Sequence, residues 1–95
     1  MVEINYAEHL KLRLKLRKFP DHYPAEIYLA AEQKFLDIIE RRHIAIKRLK
    51  YNNKVRNIMI AYDKLNGKIE IVTIHPITDE KIANRIISGR WVKNE

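Results

Sequence analysis

Three side chains that can bind phosphate or move a proton recur at intervals of four near the start of the chain. They are His9, Arg13 and Arg17. Residues four apart lie on the same face of an α-helix, so a helical segment would align the imidazole with both guanidinium groups. Arginine binds phosphate through its planar fork, and histidine titrates near neutral pH. The spacing predicts a phosphate-binding surface that carries an acid–base group.

The segment that carries these residues, 6–18, alternates leucine with basic residues, as a strand would. Its composition nevertheless favours a helix, because it has no β-branched residue and is rich in Leu, Lys, Arg, Ala and Glu. A helical wheel places its apolar residues in two stripes, which would require two packing partners. One stripe comprises Tyr6, Ala7, Leu10 and Leu14, and the other comprises Leu12, Leu16 and Phe19.

The rest of the chain predicts a second short helix, four strands and a final helix. Pro24 is placed to open the second helix, which continues to residue 31. Thr78 is placed to cap the final helix and Gly89 to end it. The strands are predicted at residues 35–39, 43–49, 55–63 and 68–75.

Asn52-Asn53 and Asn66-Gly67 are turn sequences that tolerate positive φ, so the last three strands should be joined by hairpins. This order predicts a single α+β domain over residues 1–95. It would have two N-terminal helices, a four-stranded antiparallel meander and a C-terminal helix.

The amino-acid composition restricts the class of protein to which the chain can belong and the kind of partner it can bind. The formal net charge is +7, and residues 32–67 hold nine Lys and Arg against four Asp and Glu, which favours a polyanion or an acidic protein as partner. Cysteine is absent, and no apolar run approaches the length of about 20 residues that a membrane helix needs. We therefore expect a cytoplasmic protein with no membrane contact.

RNA cleavage without a metal needs a base for the 2′-hydroxyl, an acid for the leaving oxygen and cations over the phosphate. His9 and His75 are the candidate proton-transfer groups. The candidate phosphate-binding residues are Arg13, Arg17, Lys54, Arg56 and Arg90. The four histidines show no ligand spacing, so neither a metal nor a cofactor is predicted.

Structural roles stay open for the same residues. His9 could be a histidine at the edge of the core, with the arginines merely solvated, and His75 could bind a turn carbonyl. Arg90 could pair with an acid, and Trp91 could pack over the sheet instead of stacking on a base.

The sequence resembles the small toxins of the RelE/ParE superfamily, with BrnT-like domains as the nearest branch. The resemblance rests on the His-x-x-x-Arg-x-x-x-Arg pattern from His9, the Lys54-Val55-Arg56 strand, the stretch 69–76 and an arginine near the C-terminus, Arg85 or Arg90. It implies an RNA-binding toxin, with metal-independent mRNA cleavage as its activity and an antitoxin protein as its partner. The alternative is a non-catalytic basic module that binds nucleic acid or an acidic protein.

Overall fold

The structure, a computed structural model, describes residues 2–94. Three helices and six strands follow one another along the chain. They are β1 (Glu3–Tyr6), α1 (Glu8–Arg17), α2 (Tyr23–Ala30), β2 (Gln33–Asp37), β3 (Arg42–Tyr51), β4 (Lys54–Leu65), β5 (Lys68–Pro76), α3 (Asp79–Ile87) and β6 (Trp91–Lys93). Within these residues no helix combines the length and the apolar character needed to cross a membrane.

All six strands form one mixed sheet in the order β1-β5-β4-β3-β2-β6. The domain is α+β, but the predicted four-stranded antiparallel meander is wrong. Strands β2 to β5 are consecutive and antiparallel, as a meander requires, yet β1 adds a parallel strand beside β5 and β6 adds an antiparallel strand beside β2. The sheet therefore begins before the first helix and ends after the last one.

The two additional strands are short and depend on distant partners. In β1, Ile4 and Tyr6 pair with Ile69 and Ile71, so Tyr6 belongs to a strand and the first helix begins only at Glu8. A strand of four residues has little preference of its own and is stabilised by the strand it joins. The three residues of β6 depend in the same way on β2.

Helices cover the two faces of the sheet unequally. Helices α1 and α2 pack on one face, over a core that includes Leu10, Leu14 and Ile27. Helix α3 packs on the other face, through Ile82. The prediction of two packed stripes on the first helix is wrong, because Leu12 and Leu16 are 57% and 72% exposed.

The turn and cap predictions are confirmed. Asn52, Asn53 and Asn66 adopt positive φ in the two hairpins, and Gly89 has φ +80° at the end of α3. The Thr78 side chain accepts a hydrogen bond from the Lys81 backbone N–H at 3.2 Å, which caps the start of α3.

A β-bulge in β5 decides which side chains reach the α3 face. Ala61 pairs with Thr73 and the next residue, Tyr62, pairs with Ile71, so Val72 has no partner in the ladder. Before the bulge Ile71 faces α1 and α2, and after it Ile74 does. His75 consequently lies on the α3 face.

Candidate nucleic-acid cleft

A cleft of about 500 Å³ opens on the α3 face of the sheet, and we call it the main cleft. Its floor is largely apolar, its first wall comes from α1 and the end of β5, and its second wall comes from β2, α3 and the start of β6. The lining residues that matter here are Ile44, Met59, Ala61 and Val72 on the floor, His9, Arg13 and His75 on the first wall, and Asp37, Glu40, Arg85, Arg90 and Trp91 on the second. The main cleft thus brings together residues from both ends of the chain.

Helix α1 supplies His9 and Arg13, because burial of Leu10 and Leu14 turns this seam of the helix toward the edge of β5. The Nε of Arg13 donates a hydrogen bond to Nε2 of His9 at 2.9 Å. Since Arg13 can only donate, Nε2 of His9 is unprotonated and the ring proton lies on Nδ1. Arg13 therefore occupies the acceptor nitrogen of His9.

Arg17, the third residue of the pattern, does not line the main cleft. Its Nη1 donates a hydrogen bond to the backbone carbonyl of Ile74 at 3.3 Å, so it attaches the end of α1 to β5. Its positive charge still lowers the pKa of the neighbouring His75.

His75 is partly buried at the end of β5. Its Nδ1 lies 3.0 Å from the Pro76 carbonyl oxygen. A carbonyl only accepts, so the proton is on Nδ1 and the lone pair of Nε2 is available. Burial lowers the pKa of His75, and the charges of Arg17, Arg13 and Lys81 lower it further, while the Pro76 contact opposes this shift. His75 is therefore a neutral base near pH 7.

Asp37 organises the second wall although only 2% of it is exposed. Its carboxylate accepts hydrogen bonds from the backbone N–H groups of Ile39 and Glu40, from Nε1 of Trp91 and from Nε of Arg90, each at 3.0 Å. Burial alone would raise the pKa of Asp37, but these hydrogen bonds and the Arg90 charge outweigh it and leave the pKa lowered. Asp37 is an ionised anchor.

The two arginines of this wall differ in how far they are already engaged. Arg90 pairs with Asp37 and also lies 3.7 Å from the Glu40 carboxylate. Arg85 lies over the Trp91 ring at 5.4 Å and forms no ion pair within residues 2–94. Arg85 is therefore the cation of this wall that has no acidic partner in the part of the chain described.

The prediction that Lys54 and Arg56 form a second wall opposite His9 is wrong. Both lie at the start of the 12-residue strand β4, next to the β3–β4 turn, whereas the main cleft lies over Met59 and Ala61 farther along it. Lys54 is exposed, and Arg56 donates from Nε to the Tyr51 carbonyl at 3.1 Å.

Of the predicted site residues, the structure therefore gathers four in the main cleft: His9, Arg13, His75 and Arg90. Both structural alternatives at the C-terminus are confirmed, since Arg90 pairs with an acid and Trp91 is buried. No pattern in the sequence singles out Asp37. Its role depends on the pairing of Asp37 with Trp91 across β2 and β6, which no local pattern shows.

No three His, Cys, Asp or Glu side chains between residues 2 and 94 cluster closely enough to hold a metal ion. The chain matches no protein-family model, no curated protein and no solved structure. The resemblance to the RelE/ParE toxins stays a prediction.

Proposed function

We propose that the chain is an endoribonuclease that cuts single-stranded RNA by attack of a 2′-hydroxyl on the adjacent phosphate, without a metal ion. The observation that carries this proposal is the position of His75. With its Nδ1 against the Pro76 carbonyl oxygen, it lines a cleft whose opposite walls carry Arg13 and Arg85. A base flanked by two guanidinium groups suits a reaction in which a phosphate gains negative charge.

In the proposed reaction Nε2 of His75 takes the proton of the 2′-hydroxyl, and the 2′-oxygen forms a bond to phosphorus. The bond from phosphorus to the 5′-oxygen breaks, leaving a 2′,3′-cyclic phosphate and a 5′-hydroxyl. Binding of the phosphate by Arg13 releases Nε2 of His9, which then takes up a proton from solvent. His9 in its protonated form donates a proton to the leaving 5′-oxygen.

The floor of the main cleft suits a nucleobase. Ile44, Met59, Ala61 and Val72 offer an apolar surface, and the stacked Arg85 and Trp91 border it. A base can lie there only when it leaves its own stack, which single-stranded RNA permits at low cost. The substrate class is therefore single-stranded RNA.

The direct test incubates the purified full-length chain with single-stranded RNA in EDTA. We expect fragments that end in a 2′,3′-cyclic phosphate, and a matched strand with 2′-deoxyribose throughout should stay intact. Intact RNA after long incubation would contradict the proposal, and so would fragments that end in a free 3′-hydroxyl.

The RelE/ParE resemblance extends the proposal to a cytoplasmic toxin that an antitoxin neutralises. Expression of the chain alone should then arrest growth, and co-expression of the protein encoded next to it should restore growth. Normal growth at high expression of an RNA-cleaving chain would remove the toxin role and leave the nuclease role.

One observation favours a non-catalytic binding module. Arg13 occupies the acceptor nitrogen of His9, so of the two candidate histidines only His75 offers a ready proton-transfer group. Such a module would bind RNA without cutting it, and its affinity would survive His9→Ala and His75→Ala unchanged. Loss of a measured cleavage activity in either variant would reject it.

A further inference from the structure

A second groove of about 350 Å³ lies on the same face of the sheet, at the start of α3. Its lining includes the cations Arg48 and Lys81 and the acid Asp79. Arg56 borders it too, but its side chain alternates to the other face and donates to the Tyr51 carbonyl. Among residues 2–94 neither Arg48 nor Lys81 forms an ion pair. Asp79 is already engaged, because its Oδ1 accepts a hydrogen bond from Nδ2 of Asn57 at 2.6 Å. The second groove is therefore a basic site.

The second groove adjoins the main cleft along two elements. On β4, Asn57 lines the second groove and Met59 lines the main cleft, and residues two apart on a strand lie on one face about 7 Å from each other. On β5, His75 lines the main cleft and the next residue, Pro76, lines the second groove. A nucleic-acid strand bound at His75 can therefore enter the second groove by crossing Pro76.

Helix α3 supplies a cation to each site. Lys81 lines the second groove and Arg85, four residues later, lines the main cleft. Residues four apart share one face of a helix, so the two charges lie in one row along the path just described. The row suits a polyanion with regularly spaced charges, such as the backbone of a nucleic-acid strand.

We propose that the second groove is a subsite for another phosphate of the RNA strand that is cut in the main cleft. This inference rests on the proposed nuclease function and adds a length requirement to it. An RNA that reaches both sites binds more tightly than one that fills the main cleft alone.

The test measures binding of uncleavable 2′-O-methyl RNA strands by fluorescence anisotropy. One strand of about two nucleotides fills the main cleft, and one of about eight nucleotides also reaches the second groove. We expect the longer strand to bind the chain at least about tenfold more tightly, since one charge-assisted arginine–phosphate contact contributes on that order. The variant Arg48→Gln should lose most of this gain and keep the circular dichroism spectrum of the original chain.

The matched control removes one charge elsewhere, with Lys64→Gln, because Lys64 is exposed and lines neither site. Lys81 is left in place because its charge also lowers the pKa of His75. Equal affinity for both strands, or a gain that survives Arg48→Gln, overturns the subsite and leaves the nuclease proposal standing. Absence of binding to either strand overturns both.

Discussion

Arg90 holds Asp37 across 53 residues of chain, with its Nε 3.2 Å and 3.0 Å from the two carboxylate oxygens. Trp91, the next residue, donates to the same carboxylate. Asp37 therefore fixes the direction of two successive side chains, and through Trp91 it fixes the surface on which Arg85 lies. A single buried carboxylate positions the whole second wall of the main cleft.

Replacing Asp37 with asparagine should lower the free energy of unfolding by about 3 kcal/mol, the usual cost of leaving a buried charge without its partner. The variant amide cannot accept all the hydrogen bonds that the carboxylate accepts, and Arg90 loses its counter-charge. Urea denaturation measures the change. Glu40→Gln is the control, because Glu40 is 56% exposed and should cost no more than about 0.5 kcal/mol. Equal stability of the two variants would contradict the anchoring role.

His75→Gln should lower the cleavage rate by about 10²- to 10⁴-fold, the usual contribution of a general base, and should leave RNA affinity nearly unchanged. Rate and affinity are measured separately, by single-turnover cleavage and by anisotropy with an uncleavable strand. His22→Gln is the control, since His22 is exposed just before α2 and lies 3.6 Å from the Glu26 carboxylate. A His75 variant that cuts at the original rate would exclude His75 as the base.

The dependence of kcat/KM on pH should show an acidic limb below pH 6.5, the ordinary pKa of histidine. His75 must be neutral to act, and its pKa is lowered, so its contribution to the rate is complete above the ordinary value and is lost as the pH falls through the lowered pKa. Lys81→Gln removes one of the charges that lower this pKa and should move the limb to higher pH. Lys64→Gln should leave the limb in place, and a shift in the opposite direction for Lys81→Gln would contradict the assignment.

Arg13→Gln should weaken binding of single-stranded RNA about tenfold, because a charge-assisted hydrogen bond to phosphate is lost. The slope of log affinity against log salt should fall by about 0.7, the value for one phosphate contact on a single strand. Lys15→Gln removes the same charge from an exposed position of α1 that lies outside the main cleft. If both variants change the slope equally, the charges of α1 attract the RNA only through a diffuse electrostatic field, and Arg13 makes no specific phosphate contact.

The parts of the fold that the sequence predicted are those encoded by neighbouring residues. Thr78 and Gly89 mark both ends of α3, and Asn66-Gly67 marks a hairpin, because caps and tight turns depend on the conformation of one or two residues. Strand β1 was not predicted because its pairing with Ile69 and Ile71 joins residues far apart in the chain.

The same distinction applies to the candidate site. The spacing of His9 and Arg13 correctly placed both on one seam of a helix, since helical periodicity is local. Alternation along β4 sets Lys54 and Arg56 on the face of Ile58 and Ile60, opposite the main cleft. The sequence could not show which of the two faces carries the cleft, because that depends on where α1 and α3 lie. Asp37 was not predicted because its role depends on the hydrogen bonds that Arg90 and Trp91, more than 50 residues later, donate to its carboxylate.

Because Val72 is unpaired, the number of residues in β5 decides which side chains reach the main cleft. Regular pairing of β5 with β4, without the bulge and with no residue lost, would exchange the two faces of every residue after Ile71. Ile74 would then occupy the main cleft, and the imidazole would enter the apolar core beneath α1. A related protein that lacks the bulge should therefore have one residue fewer between this hairpin and the histidine if it keeps the activity.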